Sequence, residues 1–203
     1  MKGMSERTFR PSEAHKLTDP TRLAWLPPAE ILARLDLVPG MTAADIGAGT
    51  GYFAIPIARA VAPTGQVFAV DLQPEMLDLL RAALAEPGAP ANIALFQGDA
   101  AATNLDASSC DLVVLANLWH ELDDRPAALR EAARILRPGG RLAILDWRHD
   151  VVRPPGPPLD HRIPMRDAVH LLEHAGWALH HYGPAGDYSW LLIASVADQS
   201  QQS

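Results

Sequence analysis

Short apolar runs alternate with longer segments of helical period through most of the chain. The apolar runs are rich in Val, Ile and Leu, and the segments between them are rich in Ala, Leu and Arg. Runs that are apolar along their whole length are typical of strands covered on both faces of a parallel sheet. The alternation predicts an α/β fold in which helical crossovers join five parallel strands, at Thr42–Ile46, Gln66–Leu72, Asn92–Gln97, Asp111–Asn117 and Arg141–Trp147.

Proline and glycine mark the ends of the predicted helices, because proline tolerates the first helical turn and glycine tolerates the turn after a helix. The predicted helices are Pro28–Leu37, Tyr52–Val61, Pro74–Leu84, Pro126–Leu136 and Met165–Ala175. The turn Pro138-Gly139-Gly140 closes the fourth of them.

The last fifty residues predict a different arrangement. Two further strands, Trp177–Tyr182 and Tyr188–Val196, are separated by a tight connection at Gly183–Asp187, which indicates an antiparallel hairpin at one sheet edge. The expected sheet is therefore seven-stranded and mostly parallel, with helices on both faces. Before the hairpin, Val152–Pro164 carries five prolines and one glycine, and we predict a functional loop there.

A length of 203 residues predicts one domain. Within it, residues 42–147 are expected to bind a cofactor, and residues 148–197 to supply a substrate loop and the terminal strands. Residues 1–26 form either a cap over the site or a frayed tail, and the polar stretch Asp198–Ser203 is predicted to be disordered.

Charge and cysteine content narrow the classes of function. Seventeen Lys and Arg against twenty-four Asp and Glu give a net charge of −7, which argues against binding to a phosphate backbone. The single cysteine, Cys110, lies in an apolar run, and no apolar run approaches the roughly 20 residues of a membrane span. We expect a cytoplasmic protein without nucleic-acid or membrane partners, and the sequence leaves its oligomeric state open.

The chemistry-bearing motif is Asp45-Ile46-Gly47-Ala48-Gly49-Thr50-Gly51, between the first strand and the next helix. A GxGxxG spacing would indicate a dinucleotide, whereas GxGxG preceded by an acid favours a nucleoside ligand without a pyrophosphate. Asp71 lies at the end of the second strand, and Asp99 follows the third. Three carboxylates therefore face one crevice, and Asp71 has the spacing of a ribose-binding residue.

Five ordered segments, DIGAGTGYF, VFAVDLQPEML, FQGDA, DLVVLANLWHEL and RILRPGGRLAILDW, resemble the motifs of class I S-adenosylmethionine-dependent methyltransferases. The resemblance covers Thr42–Trp147 and is to the small-molecule group that includes the ubiquinone/menaquinone biosynthesis methyltransferases. It implies a Rossmann-like fold with S-adenosylmethionine as cofactor, the glycines bordering the methionine moiety, Asp71 on the ribose, and Asp99 with Ala100 at the adenine. The implied cofactor contacts are Asp45, Gly47, Ala48, Gly49, Gly51, Asp71, Leu72, Asp99, Ala100 and Asn117.

The residues after the fourth strand are candidates for work on the acceptor. His120 is the candidate general base, because an imidazole titrates near neutrality. It could equally lead into the next helix, and Trp119 is either a substrate wall or part of the core. The run Asn117-Leu118-Trp119-His120 also departs from the Asn/Asp-Pro-Pro-aromatic motif of enzymes that methylate exocyclic amines of bases or glutamine.

A second candidate for substrate binding is the basic stretch that carries Arg148, Arg153, Arg162 and Arg166, together with His161. Guanidinium groups bind carboxylates and phosphates in a bidentate fork, so His161 and Arg162 are predicted substrate contacts. The alternative is a rigid proline loop in which the arginines pair with Asp146, Asp150 and Asp160.

Metal chemistry is disfavoured, and no metal is predicted. His170, Glu173 and His174 fit an HxxEH pattern but lack a third ligand, and adjacent His180 and His181 point to opposite faces of a strand. A single cysteine cannot supply the thiolates for arsenic methylation.

The leading hypothesis is methyl transfer from S-adenosylmethionine to a small molecule. A catalytically silent S-adenosylmethionine-binding partner or regulatory protein is the alternative. A nicotinamide oxidoreductase is third, since the glycine spacing and the terminal hairpin count against it.

Overall fold

The computed structural model describes residues 9–151 and 156–197. The positions at 1–8, 152–155 and 198–203 lie outside the described residues, and with them the start of the expected N-terminal cap or tail, Arg153 and the expected disorder of Asp198–Ser203. Seven strands form one sheet in the order β3-β2-β1-β4-β5-β7-β6. Their bounds are β1 Thr42–Ile46, β2 Gln66–Asp71, β3 Ile93–Gln97, β4 Cys110–Ala116, β5 Leu136–Trp147, β6 Trp177–Ala185 and β7 Ser189–Val196.

The first five strands pair in parallel, and β7 pairs antiparallel with both β5 and β6. This confirms the predicted α/β fold, with its mostly parallel seven-stranded sheet and terminal antiparallel pair. The helices are α1 Arg22–Trp25, α2 Pro28–Leu32, α3 Ala54–Val61, α4 Pro74–Leu84, α5 Arg125–Ile135 and α6 Met165–His174, with 3-10 turns at Pro11–Lys16 and Leu159–His161. In the described part of the chain, no helix has the length and apolar character that a membrane crossing requires.

The central strand β4 explains why the apolar runs are continuous. Val113 and Leu115 pack into the hydrophobic cluster on one face of the sheet, and Leu112 and Val114 pack into the cluster on the other. A strand covered on both faces has no position for a solvated side chain, because successive side chains point to opposite faces. The run therefore marks the middle of the sheet.

The predicted helix Pro28–Leu37 is wrong in its length, because α2 ends at Leu32. After it, the amide of Leu35 bonds to the carbonyl of Leu32, three residues earlier, and Asp36 takes a left-handed φ of 46°. Arg141 donates to the Leu35 carbonyl and to the Asp36 carboxylate, which anchors this turn to β5. The apolar periodicity continues past the point where the backbone tightens, so the pattern overestimates the helix.

Strand β5 begins earlier than predicted. It starts at Leu136, directly after α5, and the register with β4 shifts between Cys110 and Leu112. Cys110 pairs with Leu136 whereas Leu112 pairs with Arg141, so the Pro-Gly-Gly turn is an insertion within the strand instead of a loop before it.

A polar cluster on α5 fixes the loop that follows β3. The carboxylate of Glu131 accepts hydrogen bonds from the Thr103 amide (2.9 Å) and hydroxyl (2.5 Å), and from Arg134 (2.7 Å). Arg134 also donates to the Leu105 carbonyl. These donors, chiefly Arg134, outweigh burial and lower the pKa of Glu131 to about 2. The cluster holds the loop that carries Asp99.

We expect Glu131→Gln to destabilise the protein by about 1 to 2 kcal/mol at pH 7, because the buried Thr103 donors and Arg134 lose an ionised acceptor. The folded-state pKa is about 2 and the ordinary value is 4.5, so this stability is present above pH 4.5 and is lost as the pH falls toward 2. Urea unfolding at several pH values measures it.

The matched control is Glu173→Gln, on the exposed face of α6, for which we expect a change within about 0.5 kcal/mol. Equal effects of the two substitutions at pH 7 would contradict the role given to Glu131.

Candidate functional site

A cavity of about 1220 Å³ opens at the carboxyl ends of the parallel strands. Most of the residues singled out from the sequence line it, namely Asp45, Gly47, Ala48, Gly49, Asp71, Leu72, Asp99, Ala100, Asn117, His120 and His161. Gly51, Trp119 and Arg162 are packed behind its wall. The described part of the N-terminal segment, from Phe9 to Trp25, lines the opposite side.

The glycine loop is shaped by two positions that exclude a side chain. Gly47 has φ 76°, and a Cβ there would lie 2.9 Å from the side chain of Leu118. Gly51 has φ 88°, and a Cβ there would lie 2.4 Å from Leu80. Gly51 therefore serves the packing of α4 behind the loop, while Gly47 lets the loop turn at the cavity floor.

The carboxylate of Asp71 joins two loops. It accepts hydrogen bonds from the amide of Gly49 (2.8 Å) and from the amide of Gln73 (2.9 Å). Burial raises the pKa of Asp71, although these amides oppose the shift. The side chain is thus held at the cavity edge between the glycine loop and the residues that follow β2.

Asp45 is a fully enclosed carboxyl group at the end of β1. Burial, followed by repulsion from Asp71, raises its pKa to about 7, while the amide of Ala54 and the positive charge of Arg22 lower it. Without a ligand, Asp45 is therefore only partly ionised at neutral pH.

Arg22 reaches the cavity from α1. Its guanidinium lies 3.9 Å from the centre of the Tyr52 ring, and its Nη1 donates to the Leu17 carbonyl (3.2 Å). Burial lowers the pKa of Arg22 to about 10, and its Nε has no hydrogen-bond acceptor. A buried cation with a donor left over is suited to an anionic group of a ligand.

Asn117 has a side chain that is well placed to bind a polar ligand. Its backbone takes a φ of 55°, and its amide donates to the Leu145 carbonyl (2.7 Å). Both polar atoms of its side chain are buried without a hydrogen-bond partner, although the residue lines the cavity. Buried amides are nearly always hydrogen-bonded, so these atoms fit a polar ligand such as the amino-acid end of an adenosyl cofactor.

His120 lies between two carboxylates. Its Nδ1 is 2.8 Å from Asp146 Oδ1, and its Nε2 is 3.8 Å from Glu121 Oε1. Burial lowers the pKa of His120, but Asp146 and then Glu121 outweigh it, and the net direction is upward. Burial raises the pKa of Glu121 to about 7. The neighbouring side chains of His120 and Glu121 can therefore share a proton.

Two tryptophans form the apolar side of the cavity. The rings of Trp25 and Trp147 are 5.3 Å apart, and Gly156 approaches Trp147 so closely that a Cβ would lie 2.7 Å from it. His161 follows from the same loop. Trp119, by contrast, is fully buried in the core, so the cavity wall is formed by other aromatic residues.

The basic stretch is largely occupied with the protein itself. Arg148 pairs with Asp150, Arg166 contacts Asp167, and Arg162 is buried with hydrogen bonds to the carbonyls of Pro157 and Arg148. For Arg148, Arg162 and Arg166 these contacts agree with the rigid-loop alternative, while substrate contacts by His161 and Arg162 stay a prediction. Of the acids that this alternative named, Asp150 pairs with Arg148, and the charge of Asp146 acts on Arg162, raising its pKa against the larger, lowering effect of burial.

Within residues 9–151 and 156–197, no three His, Cys, Asp or Glu side chains come together as metal ligands. His174 contacts the His170 carbonyl, and His180 contacts the Ser195 hydroxyl.

Four residues of the site were given no site role from the sequence. Arg22 and Trp25 lie on a helix of four residues, which is too short to leave a periodic pattern. Glu121 and Asp146 adjoin residues that were singled out, and Asp146 has the same signal as Asp45 and Asp71, an acid at the end of a parallel strand.

Comparisons with known proteins agree with this geometry. A family model of the methyltransferase domain matches residues 44–144. An uncharacterized methyltransferase of Mycobacterium tuberculosis is 44% identical over 127 residues, which are 62% of this chain and 44% of that protein. A ubiquinone/menaquinone biosynthesis C-methyltransferase of Shewanella halifaxensis is 31% identical over 118 residues, 57% of this chain and 47% of that protein. The chain spans about half the length of these curated relatives.

Similarity of structure extends further along the chain than similarity of sequence. A crystal structure of an S-adenosylmethionine-dependent methyltransferase from Aquifex aeolicus superposes with a TM-score of 0.88 and 29% identity, over 94% of this chain and 100% of that chain. The family and the fold imply S-adenosylmethionine as the cofactor. The chain therefore belongs to the class I S-adenosylmethionine-dependent methyltransferases, as its sheet order, its glycine loop with the strand-end carboxylates and these similarities indicate.

Proposed function

We propose that this protein transfers a methyl group from S-adenosylmethionine to a small molecule by in-line displacement. The observation that carries the proposal is the shared cavity. It is lined by the glycine loop, by the carboxylate of Asp71 and by Asn117, whose side-chain amide is buried without a hydrogen-bond partner. Three strand ends with carboxylates suit an adenosyl ligand and do not suit a pyrophosphate.

Each part of the cofactor has candidate contacts. Asp71 would accept hydrogen bonds from the ribose hydroxyls, and Asp99 with Ala100 would border the adenine. Arg22 and Asn117 take the amino-acid end, where Arg22 neutralises a carboxylate and Asn117 gains the partners that it lacks. The cofactor supplies a methyl group that is already activated on a sulfonium sulfur. The protein therefore has chiefly to orient the acceptor and to exclude water.

A small acceptor is favoured by how the cavity is bounded. The peptide of Phe9 bridges it, because its N–H donates to Glu121 (3.0 Å) and its carbonyl accepts from Gln73 (2.9 Å). Trp25 and Trp147 give an apolar wall beside the candidate base His120. The net charge of −7 disfavours a polyanionic acceptor.

We expect Asp71→Asn to weaken binding of S-adenosylhomocysteine by about 10- to 100-fold, because an amide replaces a carboxylate that accepts from two hydroxyls. Calorimetric titration of the purified protein with S-adenosylmethionine, S-adenosylhomocysteine and NAD measures it. The matched control is Asp78→Asn, an exposed carboxylate on α4 that pairs with Arg81, for which binding is unchanged.

Wild-type protein that is folded but binds neither adenosyl ligand would contradict the proposed function, and binding of NAD in their place would favour an oxidoreductase. The acceptor class is tested with labelled S-adenosylmethionine and a cell extract separated by size. Label in the small-molecule fraction supports the proposal, and label only in macromolecules contradicts it. Binding without any transfer would favour the catalytically silent alternative.

The ligand-free protein is expected to be stabilised by Asp45→Asn. Folding raises the pKa of Asp45 from 3.8 to about 7, so ionisation of Asp45 destabilises the folded protein. This destabilisation grows as the pH rises from 3.8 to 7. We expect the variant to be more stable than wild type by about 1 to 3 kcal/mol at pH 8, with little difference at pH 4. Thermal unfolding measures it, and a variant less stable than wild type at pH 8 would show that the ionised carboxylate is well accommodated.

A further inference from the structure

The carboxylate of Asp146 is fully engaged with hydrogen-bond donors. It lies at the end of β5, 1% exposed, and its Oδ2 accepts from the amide of His120 (2.7 Å). Its Oδ1 is within 2.8 Å of His120 Nδ1 and accepts from the amide of Trp147 (2.7 Å). An ionised carboxylate can only accept hydrogen bonds, so the hydrogen of a neutral His120 lies on Nδ1.

The other ring nitrogen of His120 faces a different environment. Because Nδ1 carries the hydrogen, Nε2 presents a lone pair in the neutral imidazole, 3.8 Å from Glu121 Oε1. Both His120 and Glu121 line the cavity, whereas Asp146 lies behind them. The imidazole of His120 therefore lies between the carboxylate of Asp146 and the cavity.

We propose that Asp146 is a positioning residue that holds His120 in the Nδ1–H tautomer, so that Nε2 takes the proton that a hydroxyl acceptor loses on methylation. This inference rests on the proposed function and specifies its acceptor as a neutral hydroxyl. The acceptor oxygen would gain the methyl group as the methyl–sulfur bond breaks, its proton would pass to Nε2, and S-adenosylhomocysteine would be the leaving product. The proton is returned to water from the imidazolium after the product leaves.

The charges around His120 suit a proton that arrives during the reaction. Asp146 on β5 and Glu121 on the same loop stabilise the imidazolium, whereas Arg125 on α5 opposes it. A carboxylate behind an imidazole both sets its tautomer and stabilises its cation. The free base is required for the reaction, so turnover is expected to rise with pH through the titration of His120.

The experiment is ¹⁵N NMR of protein labelled at histidine, with the His120 signals assigned by their loss in His120→Gln. We expect wild-type His120, in its neutral form, to carry hydrogen on Nδ1 and none on Nε2. In Asp146→Asn we expect the midpoint of the His120 titration to fall by about one to two pH units, with loss of the single tautomer. The matched control, Asp150→Asn, removes the same charge four residues later at an exposed site and leaves the midpoint unchanged.

The wild-type tautomer tests the inference even where Asp146→Asn does not fold. Hydrogen on Nε2 of the neutral wild-type ring, or an unchanged midpoint in folded Asp146→Asn, would overturn it. Calorimetry with S-adenosylhomocysteine tests the proposed function separately from this inference. Because Asp146 does not line the cavity, the folded Asp146→Asn variant should bind S-adenosylhomocysteine with an affinity within about twofold of wild type. If the wild-type protein does not bind S-adenosylhomocysteine, the proposed function is contradicted, but the tautomer result remains valid.

Discussion

Carboxylates buried at the ends of parallel strands must find donors, and in this protein the turns after the strands provide them. Asp71, at the end of β2, is bonded to the amide of Gly49 in the loop after β1. Asp146, at the end of β5, is bonded to His120 in the loop after β4. Each acid thus ties its own strand to the loop of another, and the shape of the site depends on these cross-links.

A feature of this architecture was predictable from the sequence where the type of side chain alone determines it. The core strands were predictable because β4 is buried on both faces, and the glycine loop because only glycine accommodates the turn at Gly47. The hydrogen bonds of Arg162 to the Pro157 and Arg148 carbonyls were not, because a backbone carbonyl is the same for every residue. Likewise, the sequence could not separate Trp119 in the core from Trp147 at the cavity, since each lies close to the end of an apolar strand.

The buried ionisable groups of the cavity lower the folding stability of the protein without ligand. Burial raises the pKa values of Asp45 and Glu121 to about 7 in each case, and burial lowers that of Arg22 to about 10. Groups that are poorly accommodated without a ligand gain most when a ligand supplies their counter-charges and hydrogen bonds. Stability and affinity are thus opposed at these positions, as is common in binding sites.

The position of β7 in the sheet sets the order in which the site is completed. β7 is the last of the seven strands to be synthesised, yet it lies between β5 and β6. Its pairing places Ser189 beside Trp147 and Trp190 beside Asp146, and the Trp190 indole donates to the Trp147 carbonyl (3.1 Å). On the ribosome, the five parallel strands are therefore made before their antiparallel neighbour, and a nascent chain lacks the contact between Trp190 and the end of β5 until β7 has emerged.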